Sequence, residues 1–278
     1  VLRQRHPGPV TEPDDPDALV RSLLAGELFV YESTPETRAL TYRVQEVLQQ
    51  VLGQACLPKP GEPCPAIEHA QLARVRAELY GQDGLHRLAA KTLSALGMPE
   101  HTLVDTPRLR VVTAGAEQIL EARPVFVAHR DTWYGCPQGQ INWWIPVFDC
   151  PETQSFAFYP EYFDKPVPNA STGFDYDRWM KQVGWHGTTK LEDYPAPTET
   201  VPNTEEVRLP TKAGQLLLFA AAHLHQTRPN QVAGSSRLSL DFRAVVPGGP
   251  EAPNADNHSV GAEQRLQEQF QSIGTLLG

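Results

Sequence analysis

Apolar residues follow two different periods along this chain. Leu40, Val44, Val47, Leu48, Val51 and Leu52 recur at three- and four-residue spacing in one stripe, the pattern of an amphipathic helix. Thr34 is placed to cap its start, Pro35 takes the first helical position and Gly53 ends it, the usual asymmetry of helix termini. The same pattern returns over residues 66–80 and 84–96, the second with Asp83 as cap, Gly97 as stop and Pro99 beyond. Residues 1–100 are therefore expected to be helical support without chemistry of their own.

From residue 107 the period drops to two. The runs RLRVV, PVFVAH, GQINWWIPVFD and QSFAFYP, then EVRLP, GQLLLFAA and RLSLDFRAVV, are rich in Val, Ile, Leu and Phe between Gly and Pro turns, as strands are. About seven or eight strands over residues 107–246 suit a double-sheet jelly roll. In the last of them Arg237, Ser239, Asp241 and Arg243 share one face, and Leu238, Leu240 and Phe242 the other. That polar face either meets solvent or lines a cavity inside the roll; the period alone does not decide. Residues 161–204 form a long polar loop, a length typical of lids and binding elements. Its Tyr176, Trp179, Trp185 and His186 either close over a site or anchor the loop. A helical pattern resumes over 262–277 through Leu266, Phe270 and Ile273. With no internal repeat or second core, 1–278 is expected to be a single domain. It is mainly β, a cupin-like double-stranded β-helix (jelly roll) braced by N-terminal and C-terminal helices.

Composition narrows the function. A net charge of −9 over 278 residues argues against a nucleic-acid partner, which leaves a basic footprint. No apolar run is long enough to span a bilayer, and no basic-then-apolar signal segment opens the sequence, so the expected location is the cytoplasm. Cys56, Cys64, Cys136 and Cys150 form no C-x-x-C pair or zinc-finger spacing and are expected to be reduced, mostly buried thiols.

The chemistry-bearing residues are His129 and Asp131 in the tripeptide HRD, a distal His225, and Arg237 twelve residues beyond it. Two imidazoles and a carboxylate can occupy one face of an octahedral ferrous ion and leave three positions open. If PVFVA runs as a strand into His129, residues 129 and 131 fall on the same side. His223 has the same parity as His225 and competes with it on geometry alone. A non-redox reading also fits such residues: a metal-binding cupin-like isomerase or a small-molecule binding protein. Trp133, Tyr134, Asn142 and Trp144 lie near the metal candidates in sequence or on a nearby strand and are the candidate substrate contacts.

The stretch from RLRVV through HRDTWYG and INWWIPV to GQLLLFAAAHLHQTRPNQVAGSSRLSLDFR resembles the phytanoyl-CoA dioxygenase-like branch of the iron(II)/2-oxoglutarate-dependent oxygenases. The resemblance implies iron held by His129, Asp131 and His225, with His223 left structural. It also implies a 2-oxoglutarate site at Arg237, with Thr227, Ser239 and Thr132 as further co-substrate candidates. A guanidinium suits that place because its planar fork holds a carboxylate through two parallel bonds. The implied reaction consumes 2-oxoglutarate and O2, releases succinate, and oxidises a small molecule, most simply by hydroxylation. An intact Asp131 implies an oxygen-based outcome rather than halogenation. The acidic, aromatic sequence suits a polar or cationic substrate better than a fatty acyl-CoA, and the resemblance extends to oxygenases of bacterial natural-product biosynthesis.

Overall fold

A computed structural model describes residues 2–3, 15–59, 61–81, 84–183, 194–201 and 205–278. Its α-helices are α1 (Pro16–Leu24), α2 (Pro35–Leu52), α3 (His69–Tyr80), α4 (Gly84–Ala95), α5 (Tyr176–Gln182), α6 (Ala262–Gln269) and α7 (Ile273–Leu277). Its first strands are β1 (Leu2–Arg3), β2 (Leu28–Tyr31), β3 (Leu103–Asp105), β4 (Arg108–Thr113), β5 (Ile141–Pro146) and β6 (Phe156–Phe158). They are followed by β7 (Val207–Arg208), β8 (Leu216–Ala220), β9 (His225–Thr227), β10 (Ser236–Val245) and β11 (Phe270–Ser272). None of the described helices is long and apolar enough to cross a membrane.

The ends of α2 follow from its sequence. Thr37 N–H donates to Thr34 Oγ1 at 3.2 Å while Thr34 N–H donates to Thr37 Oγ1 at 2.9 Å, a reciprocal cap, and Gly53 leaves the helix at φ 87°. The helix predicted from residue 66 begins instead at His69. Its lead-in is bound to the strand region first: Ala66 N–H donates to Gly234 O and Ile67 N–H to Ser236 Oγ, at 2.8 and 3.0 Å. The proposed cap Asp83 lies outside the described residues.

Two sheets form the double-stranded β-helix. The larger runs β1-β2-β8-β5-β10-β3-β11, with β4 also paired to β10, and the smaller runs β7-β6-β9. Leu238, Leu240, Phe242 and Ala244 of β10 pack outward with Ile141, Trp143 and Ile145 of β5 into one core with the buried stripes of α1, α2, α3 and α4. Trp143 stacks on Phe242 with centroids 5.9 Å apart. A second core, including Trp144, Phe158, Leu217 and Phe219, fills the roll between the sheets. The helices thus cover the apolar face of β10 and its polar face turns into the roll, which decides between the two arrangements the sequence allowed.

Three expectations are corrected. PVFVA is not a strand: Leu120–Phe126 is a 3-10 helix with Pro124 inside it, and proline cannot donate to a ladder. The N-terminal third is not purely helical, since β2 pairs with β8 in the larger sheet. The C-terminal segment is broken, because Phe270–Ser272 pairs with β3 before Ser272 caps α7. The described part of the long loop contains α5.

Candidate active site

His129 and His225 face each other across an isolated antiparallel bridge. Each backbone N–H donates to the other's carbonyl at 2.9 Å, and a pair that exchanges both bonds projects its side chains to the same face. The rings meet at 4.5 Å between centroids. Asp131 joins them by a route the sequence did not show. The chain turns into a 3-10 helix at Asp131–Tyr134 and leaves it through Gly135 at φ 64°. A Cβ on Gly135 would sit 3.0 Å from Val260 O, so both the conformation and the space call for glycine.

The ring nitrogens are assigned by their acceptors. His129 Nδ1 lies 2.8 Å from Val127 O, and His225 Nδ1 3.0 Å from His223 O. Each Nδ1–H therefore donates to a backbone carbonyl, and each Nε2 keeps its lone pair for the interior. His129 Nε2 is 3.5 Å and His225 Nε2 is 4.0 Å from Asp131 Oδ1. Among the described residues these three form a group whose ligand atoms all lie within 4.8 Å of one another. Asp131 Oδ2 accepts from Asn142 Nδ2 at 2.7 Å, and Asn142 Oδ1 accepts from Gln140 Nε2 at 3.0 Å. Burial pushes His225 down to about 4, so it is a neutral imidazole at neutral pH. Burial would raise the Asp131 carboxyl. The contact with His129 and the neighbouring His225, His129 and Arg243 hold it below the usual carboxylate range. Two imidazole lone pairs and one carboxylate oxygen thus converge on one point, the donor set of a ferrous facial site.

His223 has no part in this group. Its Nδ1 faces Ala220 O and its Nε2 faces Gly26 O, both at 3.2 Å, and burial pushes it down to about 4.

Arg237 enters the same cavity from β10. Its guanidinium carbon lies 5.8 Å from the Trp144 ring and 5.4 Å from the Phe156 ring, and Nη1 donates to Gln154 O at 2.8 Å. It is buried, its Nε has no partner, and no carboxylate reaches it among the described residues. Thr227 lines the cavity too. The other two co-substrate candidates do not. Thr132 is buried, its backbone held by Ala221 O and Ser259 Oγ. Ser239 is buried on β10, and its hydroxyl has no partner among the described residues.

The four substrate candidates separate. Tyr134 lines the cavity, with its ring edge-on to His129 at 5.2 Å. Burial and the charge of Asp131 push its phenol well above the usual range, so it stays protonated. Trp144 also lines the cavity, but beside Arg237. Asn142 reaches the cavity with its amide committed to Asp131. Trp133 faces away: it packs with Val167 and Leu224 and donates Nε1–H to Asp256 at 2.7 Å.

Sequence reasoning missed Arg130, which the strand expectation put on the face opposite the two ligands. It donates to Asp256 at 3.2 Å, to the carbonyls of Phe163 at 3.2 Å and Lys165 at 2.8 Å, and to those of Tyr162 and Ala222. This ties the ligand-bearing turn to the long loop and the C-terminal segment. Phe174, Tyr176 and Trp179 from that loop form a cluster with Tyr134 and Tyr194 that walls the cavity, so Tyr176 and Trp179 anchor the loop and face the site. Trp185 and His186 lie outside the described residues. The cavity measures about 300 Å³, the lower end of the range for ligand pockets.

The family model for phytanoyl-CoA dioxygenase matches residues 66–238. No curated protein matches the chain. Among solved structures, AviO1 from Streptomyces viridochromogenes Tue57 is 14% identical, with a TM-score of 0.38 over 87% of this chain and 100% of its own. The epimerase SnoN, in complex with Fe3+, alpha ketoglutarate and nogalamycin RO, is 15% identical, with a TM-score of 0.46 over 93% and 100%. EvdO2 from Micromonospora carbonacea var. aurantiaca is 11% identical, with a TM-score of 0.47 over 88% and 94%.

Proposed function

Because the chain belongs to the phytanoyl-CoA dioxygenase family, an iron(II)- and 2-oxoglutarate-dependent oxygenase family, we propose that it hydroxylates a polar small molecule held against Tyr134. His129, Asp131 and His225 would hold the iron, and Arg237, with Thr227 lining the same cavity, would receive the distal carboxylate of 2-oxoglutarate. Iron, 2-oxoglutarate and O2 bound there would supply the oxidising power for the reaction.

The protein's own groups do the placing. Val127 O and His223 O fix the imidazole tautomers, and Asn142 fixes the Asp131 carboxylate, so the donors are oriented before metal arrives. The ring cluster of Phe174, Tyr176, Trp179 and Tyr194 excludes water from one side. Tyr134 keeps its phenolic proton and can donate it to a substrate oxygen.

The observation that carries this reading is a buried guanidinium without a carboxylate partner among the described residues, in the same cavity as three converging metal donors. A simple metal-dependent isomerase has no need of that cation beyond the metal. Truncating one partner of a buried charge pair costs on the order of a hundredfold in affinity or more. Calorimetric titration of 2-oxoglutarate into manganese-loaded protein should therefore show Arg237→Ala binding at least about a hundredfold more weakly, with the fold retained. Equal affinity in the variant would remove Arg237 from the co-substrate site.

A further inference from the structure

The chain carries a net charge of −9, yet five arginines line its cavity: Arg76, Arg110, Arg237, Arg243 and Arg265. Among the described residues only Asp131 and Asp241 oppose them there. On the reading above, Arg237 takes the co-substrate and Asp131 the metal. Arg243 is spent on Asp105 at 3.1 Å and on Asp241 at 3.0 Å. Asp241 is thereby shared, since Arg110 also binds it at 2.7 Å, and the Arg110 side chain stays 44% exposed. Arg76 donates to Leu109 O at 3.0 Å and has no carboxylate partner among the described residues. Tyr80 Oη accepts the Leu109 N–H at 2.7 Å, so α3 is stitched to β4 one residue from Arg110. Two guanidinia from different elements are thus held together on one rim, with the wall of Tyr134, Phe174, Tyr176, Trp179 and Tyr194 also facing the cavity.

We infer that the substrate is a ring-bearing molecule with an anionic group, the ring lying on the aromatic wall and the anion received by Arg76 and Arg110. This rests on the oxygenase reading for its reaction but not for its binding chemistry. Guanidinia grip carboxylates and phosphates through paired N–H donors, and a flat ring suits aromatic side chains. The acidic, aromatic sequence suggested a polar or cationic substrate; the arginine-lined cavity favours a polar substrate that carries negative charge.

The test uses protein loaded with ferrous iron and 2-oxoglutarate under nitrogen. It is titrated with naphthalene-2-carboxylate, 2-naphthyl phosphate and the neutral naphthalene-2-carboxamide while tryptophan emission is followed. The two anions should bind at least about tenfold tighter than the amide, and the tighter of them identifies the anion. Arg76→Gln and Arg110→Gln should each remove most of that preference while amide binding stays. Arg76→Lys should restore part of it, which separates charge from folding. Equal binding of the amide would overturn the inference. So would a preference that survives both substitutions, or anions that bind only by displacing 2-oxoglutarate, which would place them at Arg237. If 2-oxoglutarate itself fails to bind while the anion preference and its arginine dependence hold, the oxygenase reading falls and this inference stands.

Discussion

Asn142 and the histidines carry most of the site's organisation at the scale of single residues. Asn142 shares the inner face with Trp144, which made it look like a substrate contact, yet its amide is bonded to the Asp131 carboxylate. Outer partners of this kind are worth about 10- to 100-fold in metal affinity. Asn142→Leu should lower affinity for ferrous iron or manganese by that factor with little change in melting temperature; unchanged affinity would mean that Asp131 is oriented by something else. The buried imidazoles make a pH prediction. His223 and His225 take up protons near 6.5 in an unfolded chain but only near 4 in the fold. Between those values the unfolded state binds more protons, so lowering the pH favours unfolding. The metal-free protein should melt progressively lower as pH falls from about 6.5 towards 4. A flat melting temperature across that window would show that these rings are not buried and neutral.

At the scale of elements, β10 joins stability to chemistry, because its alternate side chains serve two layers. Phe242 is buried against Trp143 and the helices, while Arg237 and Arg243 on the other face reach the cavity. Phe242→Ala should cost about 3–5 kcal/mol in urea unfolding, the usual range for a large core truncation; a loss under about 1 kcal/mol would mean that the helices do not pack there. This strand and α2 were legible because one unbroken period runs through each. The strand into His129 was not. PVFVA has strand composition, but Pro124 sits in a 3-10 turn, and Asp131 reaches the ligand group through a second turn. In the C-terminal segment, Leu266, Phe270 and Ile273 fit a helical stripe as well as they fit a helix, an edge strand and a second helix in succession. Periodicity does not separate those cases when each piece is short.

At the scale of the whole molecule, distant segments converge on one cavity, and how far they could be read depends on how each is held. The H-x-D pair, His225 and Arg237 could be picked out by residue type and order, and the structure brings all four into one cavity. Arg76, Arg130 and Asp256 could not be, since their positions exist only after α3, the ligand turn and the C-terminal segment have packed together. The sign of the cavity was hidden as well, because net charge sums over the whole chain and not over the cavity lining. The central claim, that this cavity binds iron and 2-oxoglutarate together through His129, Asp131, His225 and Arg237, is tested most directly by anaerobic titration of the metal-free protein. Ferrous iron and 2-oxoglutarate are added while the visible charge-transfer band of the chelate is followed. The band should form in the parent protein and in His223→Ala, and be lost or much weakened in His225→Ala and Arg237→Ala. No band in folded, iron-loaded protein at saturating 2-oxoglutarate, or a band that depends on His223 and not on His225, would contradict the account.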